Sequence, residues 1–414
     1  MFIQSSAGFL MFAFLAWLIS ENRKQVSLKT AGIGLLLQLL IGFLLLKLPV
    51  FREFFLMLNQ LVLFLEQSTQ AGTSMVFGYL GGGTLPFDEK FPGAAYILAF
   101  RGLPLILVMS ALSSLLFYWK ILPLVVKGFS WIMQRSLGQG GAEALGVSAN
   151  VFVGMVESPL FIRPYLKDMT RSEIFSLMTC GMATIAGTVM VLYASILSEA
   201  VPNIMGHILT ASLISVPAAV TVAKIMVPET GEVTAGELTY PEPALSGMDA
   251  VTKGTVQGVQ LLINVIAMLV VLVALVHLIN LLLGIFPDMG GSPITLQRIM
   301  GILMAPIVWL MGIPWSECLT AGSLMGTKTV INEFVAYLDL SRLPKDALSP
   351  QSRIIITYAM CGFANPGSLG IMIGGMGTMA PEKRDEIVSL GFRSIIAGTL
   401  ATCMTGTVVG IIGF

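Results

Sequence analysis

The sequence predicts an all-α polytopic membrane protein: about eight transmembrane helices with two re-entrant hairpins and two broken helices in inverted repeats. Three observations predict it. The 414 residues are 55% hydrophobic and only 11% charged, whereas a soluble domain carries about a quarter charged residues. Uncharged stretches long enough to cross a bilayer, roughly 17–25 residues, recur along the whole chain. Two carboxylates, Glu157 and Glu333, nevertheless lie inside apolar sequence, and each is followed by an apolar segment broken by small residues: Met182–Val189 and Cys361–Gly370.

The elements follow in order. Phe2–Ser20 has no basic segment ahead of it and no evident cleavage site, so it reads as a retained first span. Thr30–Leu46 is the second. Val50–Gly78 carries Arg52, Glu53 and Glu66 among Phe and Leu, the pattern of an interfacial amphipathic helix. Gly81-Gly-Gly83 lacks the Lys-Ser/Thr of a phosphate loop and reads as a turn. Gly102–Trp119 is the next span. Leu122–Leu137, where Lys127 and Arg135 interrupt Trp131, Ile132 and Met133, reads as another interfacial helix.

Leu145–Leu166 is apolar but cut by Gly154 and Glu157. It is expected to be a re-entrant hairpin, tolerated at membrane depth only when buried in protein or lining a wet cavity. Ile174–Ser198 and Ala200–Ala223 are spans, the first broken at Met182–Val189. The polar loop Pro228–Lys253 divides the chain near its middle. Gly254–Pro287 exceeds a perpendicular crossing, so it should be tilted or partly interfacial. Gly290-Gly291 reads as a boundary turn. Pro293–Glu333 is expected to be the second hairpin and absorbs Ile299–Ser316. Ile354–Pro381 and Ser394–Phe414 complete the spans. Four regions result: 1–137, N-terminal scaffold and interfacial helices; 138–227, first repeat; 228–292, polar loop and long oblique helix; 293–414, second repeat.

Arg23, Lys24 and Lys29 make the first connection the most basic short loop, hence cytoplasmic. Both termini are then outside, and Arg163, Lys167 and Arg171 should also be cytoplasmic. With net charge zero and no long charge run, no nucleic-acid partner is indicated. The four cysteines, Cys180, Cys318, Cys361 and Cys403, lie in or beside apolar stretches with no Cys-x-x-Cys, and are expected to be core residues. An enzyme is disfavoured: there are two histidines, His207 and His277, no His-Glu-x-x-His and no Gly-x-Gly-Asp. His277 is expected to be packed within its helix or bonded to a neighbouring one.

Ionisable residues inside membrane sequence mark substrate or ion pathways. Broken helices at matching places in two halves mark a transporter's midplane site. Four motifs then make a resemblance specific: Gly154-x-x-Glu157-Ser-Pro, Ala183-Thr-Ile-Ala-Gly187, Asn332-Glu-Phe-Val-Ala-Tyr337 and Cys361-Gly-Phe-Ala-Asn365. In this order and spacing the whole chain resembles the concentrative nucleoside transporters. The resemblance implies a homotrimer in the lipid bilayer of a bacterial inner membrane, each protomer moving a transport domain past a scaffold domain in elevator fashion to import one nucleoside with a cation.

The resemblance also implies roles. Glu333, Asn365 and Ser368 would hold the sugar hydroxyls, for which an ionised carboxylate is a strong acceptor. Phe363 would pack on the base, Val189 would line its pocket, and Glu157 would reach it through water. Competing readings are a buried Glu333–Lys328 ion pair and a helix cap at Asn365. The family's polar pair between Gly and Glu is replaced by Met155 and Val156, which lowers polar discrimination between bases and points to tolerance of purines or a broad range. Pro366-Gly367 departs from the family's common aromatic-Ser or aromatic-Gly. The sodium ligands would be the side chains of Asn150 and Thr184 and the carbonyls of Val153 and Ile185, oxygen donors suited to a hard cation. The competing readings there are a cap by Asn150, a Thr184 bond back to its own helix, and a proton on Glu157 or Glu333 as the coupling ion. A passive nucleoside channel or sensor would use the same binding residues.

Overall fold

The structure is a computed structural model describing residues 2–89, 95–237, 244–288 and 293–413. The Gly290-Gly291 turn lies outside the described residues, as does part of the polar loop. All regular elements among the described residues are helical. The N-terminal part holds α1 (Phe2–Leu18), α2 (Leu28–Lys47) and the 29-residue α3 (Pro49–Phe77). On α3, Phe55, Val62, Thr69 and Thr73 are buried at helical spacing while its other sides stay open, a one-faced pattern. Gly81–Gly83 closes the turn after it.

Two runs of elements follow in the same order. The first is α4 (Leu98–Arg101) with α5 (Leu105–Tyr118), then α6 (Ile121–Leu137) and α7 (Gly141–Val153). A 3-10 limb (Ser158–Tyr165), α8 (Arg171–Ala183), α9 (Gly187–Leu197) and α10 (Ile204–Met226) complete it. The second is α11 (Gly247–Leu283), α12 (Leu296–Leu310), α13 (Cys318–Val330) and α14 (Glu333–Arg342). It ends with α15 (Pro350–Met360), α16 (Pro366–Met379) and α17 (Arg384–Ile412). Counterparts therefore match as α5 with α11, α6 with α12, α7 with α13, the 3-10 limb with α14, α8–α9 with α15–α16, and α10 with α17. Among the described residues, six stretches are long and apolar enough to cross a membrane. With α1 and the interrupted α15–α16 pair they make the expected eight.

One expected boundary moves. Pro293–Glu333 does contain two helices folded back on each other, α12 and α13. Glu333, however, lies beyond them, at the turn from α13 into α14. The counterpart of the first hairpin is thus α13–α14, with Glu333 at its tip as Glu157 is at the tip after α7. Hydropathy misplaces it because α12 is as apolar as a hairpin limb.

Helix starts are set by local chemistry. Ser27, Ser246, Thr295, Asn332, Ser349 and Asn365 each accept a backbone N–H from the first turn, and Thr170 with Glu173 forms a reciprocal capping box on α8. Each such cap contributes about 1 kcal/mol. Helices α5 and α11 pack along each other through small residues. A Cβ at Gly254 would lie 2.6 Å from the carbonyl oxygen of Ser110, so only glycine permits this approach.

Polar contacts define the two ends of the bundle. At one end, Glu21 binds Arg171 of α8 (Nη2–Oε1 2.8 Å, Nε–Oε2 3.2 Å) and Arg393 of α17. Residues after α10 dock on the same end: Thr170 Oγ1 donates to Glu229 at 2.9 Å, and Thr234 donates twice to Glu173, at 2.8 and 2.7 Å. At the other end, Ser5 Oγ of α1 donates to the Met311 carbonyl at 3.0 Å, beside Gly410 of α17. The basic first connection and Arg171 therefore share an end, opposite the start of α1 and the end of α17. All four cysteines are buried and free. His207 meets the Tyr358 hydroxyl at 3.0 Å. His277, expected to be packed, is instead exposed on α11, because that helix shows most of its length on the surface of the chain.

Candidate functional site

The two tips and the two helix breaks converge. After α7 the chain turns at Gly154, whose φ of +97° is left-handed; a Cβ there would lie 2.8 Å from the Cβ of Ala186, in the break between α8 and α9. A side chain would thus be strained twice, by backbone and by contact. In the second repeat, Asn332 caps α14 by accepting from Val335 N at 2.9 Å, and Asn365 caps α16 by accepting from Ser368 N at 2.8 Å. Pro366 occupies the first turn of α16, where a missing N–H leaves no helical bond unmade. The departure from the family's residue at this position is therefore accommodated without loss of the helix start.

Between these features lies a cavity of about 330 Å³, within the range of small-molecule sites. Met155, Val156, Glu157, Val189, Glu333, Phe363, Asn365 and Ser368 all line it. The eight residues singled out for a substrate thus come together around one space, from four elements. Glu333 is 4% exposed and Asn365 1%. Glu333 accepts from the Tyr193 hydroxyl on Oε1 at 2.7 Å and from Asn365 Nδ2 on Oε2 at 3.2 Å. Asn365 is both a helix cap and a carboxylate partner, so the two readings of this residue are compatible. An ionised carboxylate offers about four acceptor positions, so these two bonds leave acceptor capacity on both oxygens.

The competing Glu333–Lys328 ion pair does not form: Lys328 Nζ donates to the Ala359 carbonyl at 3.0 Å and to Thr402 Oγ1 at 2.8 Å. Glu157, which lines the same cavity, is exposed to open space. It lines a second chamber of about 490 Å³ as well, together with Thr188, Gln257 and Leu261. Val156 packs towards α16, where a Cβ at Gly375 would meet it at 3.2 Å.

Several cavity residues escaped the sequence reading. Tyr193 carried no signal, being one aromatic in an apolar run. Gln257, Gln260 and Asn264 of α11 also line the cavity. Their i, i+3, i+7 spacing on an otherwise apolar helix is a polar stripe that periodicity could have found.

The four residues assigned to sodium sit where α7 ends and α8 breaks. Asn150, Thr184 and Ile185 are buried, and Val153 is the last residue of α7. A Cβ at Gly181 of α8 would approach Asn150 Nδ2 at 3.3 Å, which places the amide against α8. Asn150 lies inside α7 rather than capping the turn. Thr184 Oγ1 does donate back to the Cys180 carbonyl at 2.9 Å, yet that bond uses its proton and leaves its lone pairs. Two helix ends with unpaired carbonyls, an amide oxygen and a hydroxyl oxygen form a donor set that suits a hard monovalent cation.

Comparison with known proteins gives a consistent result. A family profile described as the C-terminus of Na+ dependent nucleoside transporters matches residues 207–410, its N-terminal companion matches 7–80, and one described as nucleoside recognition matches 99–200. Nucleoside permease NupC of Helicobacter pylori is 34% identical over 98% of this chain and 97% of its own length. The structure of CNTnw in an inward-facing substrate-bound state superposes with a TM-score of 0.90 at 35% identity, covering 99% of this chain and 98% of that one. A variant of CNTnw in an outward-facing state also gives 0.90, at 34% identity and 99% and 97% coverage.

Proposed function

This chain belongs to the concentrative nucleoside transporter family, and from that premise we propose that it imports nucleosides by sodium symport through an elevator movement. It is a membrane transporter and not an enzyme. The observation that carries the finer reading is the Tyr193–Glu333–Asn365 network facing a cavity that Glu157 also lines. In this reading Glu333, Asn365 and Ser368 hold the sugar. Phe363 and Val189 enclose the base, since an aromatic face stacks on any base. Met155 and Val156 leave its edge without polar partners, which favours a base range that includes purines.

Sodium would bind at Asn150, Thr184 and the carbonyls of Val153 and Ile185. Its charge would draw the α7 tip onto the α8–α9 break, so that ion binding orders the wall of the nucleoside site. A homotrimer in a bacterial inner membrane completes the reading. The proton is the rival coupling ion, and the retained oxygens of Asn150 and Thr184 favour sodium, because a proton site needs only a carboxylate.

Uptake into sealed proteoliposomes tests this. Labelled uridine and adenosine are offered with inward sodium, proton or no gradient. Accumulation driven by sodium is expected. Accumulation driven only by protons would move coupling to a carboxylate, and equilibration without accumulation would make the protein a passive pathway.

A further inference from the structure

The second repeat holds a cation of its own. Lys328 lies in the last turn of α13 and is fully buried. Its ammonium donates to the Ala359 carbonyl at 3.0 Å and to Thr402 Oγ1 of α17 at 2.8 Å. Among the described residues no carboxylate is ion-paired with it. Ala359 is next to the last residue of α15, so its carbonyl is one of the four that a helix end leaves without a helical partner. That end of a helix favours a positive charge.

The same juxtaposition exists in the first repeat. Asn150 lies late in α7, the counterpart of α13, and faces the end of α8, the counterpart of α15. There the late helix offers an amide oxygen and the break offers carbonyls, a set with no charged side chain of its own. In the second repeat the late helix brings the cation itself. A purely structural tie between α13, α15 and α17 could be made by a neutral donor. Glu333 acts on this ammonium only from beyond ion-pair distance, and burying an ammonium with no carboxylate in contact is far more expensive than burying a hydroxyl or amide. That cost singles out the charge, rather than the hydrogen bonds, as the property of this position to be explained.

We propose that the Lys328 ammonium is the tethered counterpart of the coupling ion: it fills, in the second repeat, the place that an exchangeable sodium fills in the first. This rests on the sodium reading above. Its consequence is stoichiometric. Only one of two equivalent places exchanges its cation, so transport should depend on sodium to first order.

The test is the sodium dependence of nucleoside uptake and of nucleoside-induced thermal stabilisation, for the intact protein, Lys328→Arg and Lys328→Asn. The intact protein and Lys328→Arg should show first-order dependence. Lys328→Asn replaces the ammonium by an oxygen donor and opens the place to a free ion. It should need at least tenfold more sodium for half-maximal stabilisation and show second-order dependence, with choline unable to substitute. Lys328→Asn that loses affinity but stays first order would reduce Lys328 to a structural tie and overturn the proposal. So would second-order dependence in the intact protein, or a Lys328→Asn protein that no sodium concentration rescues. Nucleoside binding by the intact protein with no sodium dependence would instead refute the sodium reading, a result distinguishable from all of these.

Discussion

Replacing Glu333 by glutamine should weaken nucleoside binding by roughly 10- to 150-fold. Its two oxygens are held by Tyr193 at 2.7 Å and by Asn365 at 3.2 Å, and their remaining acceptor capacity is assigned to the sugar. Glutamine has nearly the same shape but only one acceptor oxygen and no charge. If its oxygen keeps Tyr193, its NH2 must face the Asn365 NH2, donor against donor. One charge-assisted bond to the sugar is then lost, worth about 1.5–3 kcal/mol, and each 1.4 kcal/mol is about tenfold in affinity. The assay is calorimetric or filter binding with the purified protein, using a ribonucleoside and its 2′-deoxy analogue. The deoxy analogue already forgoes one bond to the carboxylate, so the variant should narrow the difference between the two ligands. Because the Asn332 cap of α14 is untouched, elution and helical content should not change. An affinity within twofold of the original, or an unaltered ribose-to-deoxyribose ratio, would remove Glu333 from the sugar site.

Three further outcomes are expected. Met155→Gln with Val156→Thr restores polar groups at the cavity wall and should move selectivity between uridine and adenosine in competition uptake; an unmoved ratio would show that the first tip does not set it. Asn150→Ala should raise the sodium concentration for half-maximal uptake several-fold while leaving the fold intact; superimposable activation curves would place the ion elsewhere. Glu21 is held below the usual carboxylate range by its hydrogen bonds to Arg171, against the opposing effect of burial and with further help from the charges of Arg171 and Arg393. A depressed folded value means the contribution is present above the unfolded value near pH 4 and is lost as pH falls through the folded one. Glu21→Gln should therefore lower the melting temperature at pH 7 by an amount matching roughly 0.2–1 kcal/mol, and that loss should shrink as the pH is taken progressively below about 4; a loss that does not change with pH would contradict it.

Much of this was legible because membrane depth makes polarity informative. Glu157, Glu333 and Asn365 stand out where charge and amides are costly, and Gly154 and Pro366 mark where helices cannot continue. The limb containing Glu333 was misplaced because hydropathy records which residues avoid water but not where the chain reverses, and α12 is as apolar as a hairpin limb. Tyr193 was hidden for a related reason: a tyrosine in an apolar helix looks like packing until a carboxylate from another repeat is found 2.7 Å away. The α11 stripe of Gln257, Gln260 and Asn264 was present in the sequence. It reads as ordinary helix polarity until the fold turns that face towards the cavity.

The four native thiols, all buried, leave the molecule chemically quiet towards maleimides, since reaction needs an accessible thiolate. The chain is in effect its own cysteine-free background. A single cysteine placed at Ser113, which lines the chamber shared with Glu157, would then be the one site a membrane-impermeant label could find. The rate of that labelling, with and without nucleoside, would read out when the chamber is open without altering any other residue.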